Sequence, residues 1–143
     1  MNRLPHDRSH LLYNAKEVPH PTKLFQNSIR RWLFAHLSDD SATDGNMGSI
    51  VEAVVVSKSA GVFCGRVPVD LLFAEWFPSC DLAWNIEEGG DITVGSQILS
   101  ISGPSDSVLS CERVVLNILG RLSGITTRTS EWVSESGDVS IAC

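Results

Sequence analysis

The chain has 143 residues, of which 43% are apolar and 20% charged, and it carries a formal net charge of −6. This leaves room for one globular domain with a modest core rather than a disordered segment. The acidic surplus argues against a general nucleic-acid or membrane-surface binder, since those partners reward a basic face. No apolar run approaches the roughly 18 to 20 residues that span a bilayer. The opening Met1-Asn2-Arg3-Leu4-Pro5-His6 also lacks the apolar stretch of a secretion signal. A cytoplasmic protein whose partners are small molecules or other proteins is expected.

Residues 1–21 carry Pro5, Pro19 and Pro21 with little periodicity, which predicts an irregular arm. From Thr22, placed to cap, Leu24, Phe25, Ile29, Trp32, Leu33 and Leu37 recur at helical spacing. The Ser-, Asp- and Gly-rich stretch Ser38 to Ser49 reads as a loop. Ile50 to Ser57 and Gly61 to Gly65 read as strands on either side of a polar break. Pro68 suits the first turn of a helix whose stripe is Val69, Leu72, Phe73 and Trp76 and which Pro78 ends. Asp81 to Glu87 and Ser96 to Ser102 read as further strands around a turn at Gly89-Gly90-Asp91.

The longest periodic stretch runs from Ser105 to about Ser123 and resumes after Gly124 as far as Ser136. Leu109, Val115, Leu116, Leu119 and Leu122 define its expected apolar side, with Glu112 inside that arc. Asp106, Ser110, Arg113, Asn117, Gly120 and Arg121 define the other side. Gly120 and Gly124 are poor helix residues and hint at close packing or a bend. Val139 to Cys143 looks like a strand that has barely begun. Short strands with interspersed helices and no regular βαβ alternation give an α+β fold, with a small, mainly antiparallel sheet flanked by helices. The expected organisation is an arm over 1–21, an α+β domain over 22–137, and the start of a further strand over 138–143.

Cys64, Cys80, Cys111 and Cys143 stand far apart, so neither zinc spacing nor a disulfide framework is suggested and buried free thiols are expected. His6, His10 and His20 fall in the arm, and His36 near a helix end, without a ligand pattern. No phosphate-binding loop, nucleophile elbow or HExxH motif occurs. The acid pairs Asp39-Asp40 and Glu87-Glu88 lie beside turns, where solvated carboxylates are the default. The turn from Gly89 to Gly95 looks like the hairpin of lipoyl- and biotinyl-type domains but lacks their exposed lysine, since Lys58 sits in a different turn.

The informative segment is Cys111-Glu112-Arg113-Val114-Val115-Leu116-Asn117-Ile118-Leu119-Gly120-Arg121-Leu122-Ser123-Gly124-Ile125. It resembles the ERxxLNxLxRxSGI signature of quinolinate phosphoribosyltransferases. The likeness extends through Gly61 to Gly65 with Pro68, and from Glu88-Gly89 to Gly103-Pro104, so that it covers residues 24 to 143. It departs in the loop Asp39-Asp40-Ser41-Ala42-Thr43-Asp44-Gly45, where many members carry an acidic-Gly-Asp-Ile-Thr-Thr segment. It departs also at Cys143, from whose position the family continues into a TRKTTPG segment and a barrel. The resemblance therefore implies the N-terminal, hammerhead or barrel-sandwich-like domain of a type II phosphoribosyltransferase without the catalytic barrel.

What the resemblance implies for chemistry is transfer of a phosphoribosyl group from phosphoribosyl pyrophosphate to quinolinate, with Mg2+. The products are nicotinate mononucleotide, CO2 and pyrophosphate, made for NAD synthesis by a homodimer or larger homo-oligomer. In the family the signature arginine, here Arg113, reaches into the active site of a neighbouring subunit. Most ribose-phosphate, pyrophosphate and metal contacts come from the barrel, so this chain by itself is expected to be inactive. A planar guanidinium that donates two parallel hydrogen bonds suits a substrate with adjacent carboxylates. Glu112 and Asn117 are expected as supporting groups, with no catalytic residue in this chain. The rivals are a nicotinate phosphoribosyltransferase, a molybdenum-gene relative of the same fold, and a non-catalytic assembly module.

Overall fold

The computed structural model describes residues 13–14, 20–37 and 48–137. Most of the loop expected after the first helix, the strand expected at 138–143, His6, His10, the pair Asp39-Asp40 and Cys143 lie outside the described residues.

Within the arm, Tyr13–Asn14 (β1) pairs antiparallel with His20–Pro21 (β2), where the sequence suggested only irregular chain. Strands this short leave no alternation to read, and what anchors them is tertiary: the Tyr13 ring stands 5.4 Å from that of Phe25. Helix α1, Lys23–Leu37, starts where expected, and the Phe25 N–H donates to Thr22 Oγ1 at 3.2 Å. Ile29 and Leu33 are its buried residues. Leu24, counted in the expected stripe, is 58% exposed because it lies on the flank of the arc that Phe25 and Ile29 define.

Strand β3, Ile50–Val56, pairs antiparallel with β7, Gln97–Pro104, whose other edge carries β5, Asp81–Trp84. A second ladder joins β4, Gly61–Val62, to β6, Asp91–Ile92. Both expected strands that ran longer are cut short for a physical reason. After Trp84 only the Asn85 N–H still donates to Ile98 O, at 3.0 Å, before the chain bends. After Val62 the ladder gives way to bonds between Phe63 and the Gly89-Gly90 turn on one side and from Cys64 to the Ser123 side chain on the other. Helix α2, Arg66–Trp76, holds Pro68 in its first turn, buries Val69, Leu72 and Phe73, and ends as the Phe77 N–H returns to Phe73 O ahead of Pro78.

Helix α3, Ser105–Glu135, is 31 residues long and runs unbroken through Gly120 and Gly124. A Cβ placed on either glycine would meet nothing within 4 Å, so among the described residues neither bend nor close packing explains them. The buried face is only partly the expected one, since Val115 and Leu119 are buried and Leu122 half-buried as read, but its centre is shifted. Val108, Cys111, Val115 and Ile118 are buried, whereas Leu109 is 62% and Leu116 47% exposed. The buried arc, which also takes in Val114 and Leu119, is the one that packs against β3, β4 and β7.

One close approach in the sheet requires glycine: a Cβ at Gly103 would sit 2.6 Å from Cys80 Sγ and 3.1 Å from Cys80 Cα. The described residues thus form the α+β arrangement that the sequence implies, with the core between α3, the main sheet and the α1–α2 pair.

Candidate functional site

The rotation of α3 decides which of its polar residues can reach a ligand, and two hydroxyls set that rotation. Thr127 Oγ1 accepts from the Val62 N–H at 2.9 Å. Ser123 Oγ accepts from the Cys64 N–H at 3.0 Å and donates to Cys64 O at 3.1 Å. The helix therefore continues the β4 ladder by side chains, satisfying backbone groups that would cost 1–3 kcal/mol each if buried and unpaired.

With α3 so fixed, Glu112, Arg113 and Asn117 are all exposed on its outer side, and Arg113 points away from the core as the sequence suggested. Glu112, placed by its spacing within the expected apolar arc, is exposed. It is not buried in the apolar face but lines an open groove beside β3 with the exposed Leu109 and Leu116, so no desolvation cost requires it to pair with an arginine. Asn117 and Arg121, one turn apart, line a cleft of about 370 Å³ between α1 and α3, and Arg113 is not among its lining residues.

Glu88, read from the sequence as a solvated carboxylate beside a turn, has a structural role instead. Its carboxylate accepts from the Gly65 N–H at 3.0 Å and the Arg66 N–H at 2.9 Å, although the side chain is exposed. Helix α2 has Gly65 as its N-cap, at φ 130°, with no side chain to cap it. A carboxylate 22 residues downstream supplies the missing acceptor and meets the positive end of the helix dipole. Glu87-Glu88 beside a turn gives no local sign of this. Glu88→Ala should lower stability by about 1 kcal/mol, seen as a fall in thermal midpoint with an unchanged fold by circular dichroism. An unchanged midpoint would mean that solvent replaces the carboxylate at no cost.

The three described thiols sit in surroundings that disfavour the thiolate. Burial pushes Cys64 up to about 11 and Cys111 up to about 12, and it raises Cys80 as well, so all three stay protonated. Among the described residues no group of three or more His, Cys, Asp or Glu gathers to hold a metal ion. No described helix is long and apolar enough to cross a membrane.

The described residues thus form a small antiparallel sheet locked to a long helix that displays polar side chains outward. Residues 36–123 match the family model described as quinolinate phosphoribosyl transferase, N-terminal domain. The chain is 36% identical over 126 residues to quinolinate phosphoribosyltransferase [decarboxylating] 1 of Nicotiana glauca, covering 80% of this chain and 34% of that protein. It is 40% identical over 91 residues to a probable nicotinate-nucleotide pyrophosphorylase of Archaeoglobus fulgidus, covering 60% and 33%. In structure it superposes on NadC from Streptococcus pyogenes with a TM-score of 0.70 at 28% identity, over 78% of this chain and 43% of that one. The chain belongs to the quinolinate phosphoribosyltransferase family and carries that family's N-terminal domain. It spans about a third of the length of the curated relatives it matches.

Proposed function

We propose that this domain serves an enzyme that joins quinolinate to phosphoribosyl pyrophosphate, releasing pyrophosphate and CO2 and leaving nicotinate mononucleotide for NAD synthesis. Within it, Arg113 binds substrate in the active site of a neighbouring subunit, with Glu112 and Asn117 as supporting polar groups. The observation that carries this reading is the placement of Arg113: exposed on the outer side of a rigid helix, inside the signature segment, on a face whose rotation Ser123 and Thr127 fix.

The guanidinium keeps its charge at every working pH and can donate two parallel hydrogen bonds to a carboxylate. Held on a long helix, it presents those donors without a large ordering cost when substrate arrives. The described residues offer no carboxylate cluster for Mg2+, so no step is routed through a metal on this domain. Assembly into a homodimer or larger homo-oligomer belongs to the same proposal. It is supported by apolar side chains left bare beside the helix, with Ile50 71% and Leu109 62% exposed. A cytoplasmic setting completes the proposal.

Mixing this chain with a separately expressed barrel half of a relative tests the reading. Neither part alone should form nicotinate mononucleotide from quinolinate and phosphoribosyl pyrophosphate, while the mixture should. Product from this chain alone would overturn the division of labour. A stable complex without product would favour an assembly module instead.

A further inference from the structure

The signature residue Arg121 has no part in the proposed chemistry and Asn117 only a supporting one, yet both line the cleft between α1 and α3. Arg30 pairs with Glu75, Arg66 with Asp70 and Arg128 with Glu131. Among the described residues neither Arg121 nor the Asn117 amide is bonded to a partner. The opposite walls are aromatic and aliphatic, formed by Tyr13, Phe25, Trp32, Ile118 and Leu122, and all but the buried Ile118 are half-buried.

The one acid lining the cleft, Glu88, already has its carboxylate on the Gly65 and Arg66 N–H groups at the positive end of α2. Its charge is thereby partly offset by the helix terminus, and Arg121 is the cation lining the cleft. A volume of about 370 Å³ falls within the range of small-molecule sites, which are mostly apolar with a few placed polar groups.

We propose that this cleft is a binding site for a flat aromatic monoanion, its ring between the Phe25 and Trp32 walls and its acid group on Arg121 and Asn117. One carboxylate matches one guanidinium and one amide. A second carboxylate on the same ring would have to leave water against an apolar wall, which costs free energy without a partner. The inference is independent of the role given to Arg113.

The test titrates the full 143-residue chain, labelled with 15N, with 2-naphthoate and with its neutral isostere 2-naphthamide. Amide shifts should change at Gly65, Asn117, Ile118 and Leu122, with naphthoate bound at least about tenfold more tightly than naphthamide, as expected for a charge-assisted pair. Arg121→Gln, at an exposed position that folding does not depend on, should remove that preference and leave naphthamide binding unchanged. Phe25→Ala should weaken both ligands. Quinolinate, with its second carboxylate, should bind here more weakly than naphthoate. The proposal is overturned by equal affinities for the two probes, by a preference that survives Arg121→Gln, by shifts confined to other surfaces, or by quinolinate binding here more tightly. None of these outcomes bears on the subunit-mixing test of Arg113.

Discussion

In an enzyme of family length carrying this domain, Arg113→Lys should reduce kcat/KM for quinolinate by roughly thirtyfold, which corresponds to about 2 kcal/mol of transition-state stabilisation. Lysine keeps the positive charge but presents a point donor in place of a planar fork, so one of two parallel hydrogen bonds to the carboxylate is lost. Folding should be untouched, because Arg113 is exposed on the outer side of α3. Thermal unfolding measured beside the kinetics separates the two effects. A parent-like kcat/KM would remove the substrate role, and an equal loss of stability and activity would reassign the residue to structure.

The largest expected loss of stability is at Phe63. Its side chain is 1% exposed and its ring lies 5.5 Å from that of Trp84. Its backbone is equally committed: the N–H donates to Gly90 O at 2.8 Å and the carbonyl accepts from the Gly89 N–H at 2.9 Å. Phe63 therefore joins the β4 edge to the turn that delivers Glu88 to the start of α2. Phe63→Ala removes the ring from a core that cannot fully collapse around the void, at a cost of about 3–5 kcal/mol. For a domain of ordinary stability this is a large fraction of the total. Urea unfolding should show a midpoint shifted strongly downward, with Phe63→Leu recovering part of the loss. A cost under about 1 kcal/mol would mean that the site is repacked or wetter than the structure shows.

How far the sequence was readable differs from element to element. The cap at Thr22, the helix opening around Pro68 and the stop before Pro78 were legible because their causes are local: a hydroxyl acceptor, a fixed φ and a missing donor. The orientation of α3 was not. Leu109 and Leu116 looked like core because leucine usually is, but the sheet selects the arc of Val108, Cys111 and Val115, and a sheet packed across a helix leaves no trace in the helix's own spacing. Gly65 to Glu88 and Val62 to Thr127 are pairings between distant segments, and no window of sequence contains both ends.

The candidate site shows the same split. Arg113 was singled out through its place in an ordered signature, and its exposure agrees with the polar stripe that also holds Asn117. Asn117 and Arg121 were legible as polar, but the aromatic walls opposite them come from Tyr13, Phe25 and Trp32, which fold onto the cleft from another part of the chain. Glu112 is exposed for the same reason as Leu109 and Leu116: the buried arc is centred nearer Val108, Cys111 and Ile118.

The most direct measurement of the central claim mixes two variants of a family-length enzyme carrying this domain. One bears Arg113→Lys in this domain, and the other is inactivated in the barrel. If Arg113 serves the neighbouring subunit, mixed assemblies contain some sites with both an intact arginine and an intact barrel. Formation of nicotinate mononucleotide should then rise well above the sum of the two variants measured alone. Activity that stays at that sum, in assemblies shown to have exchanged subunits, would contradict donation of Arg113 across the interface.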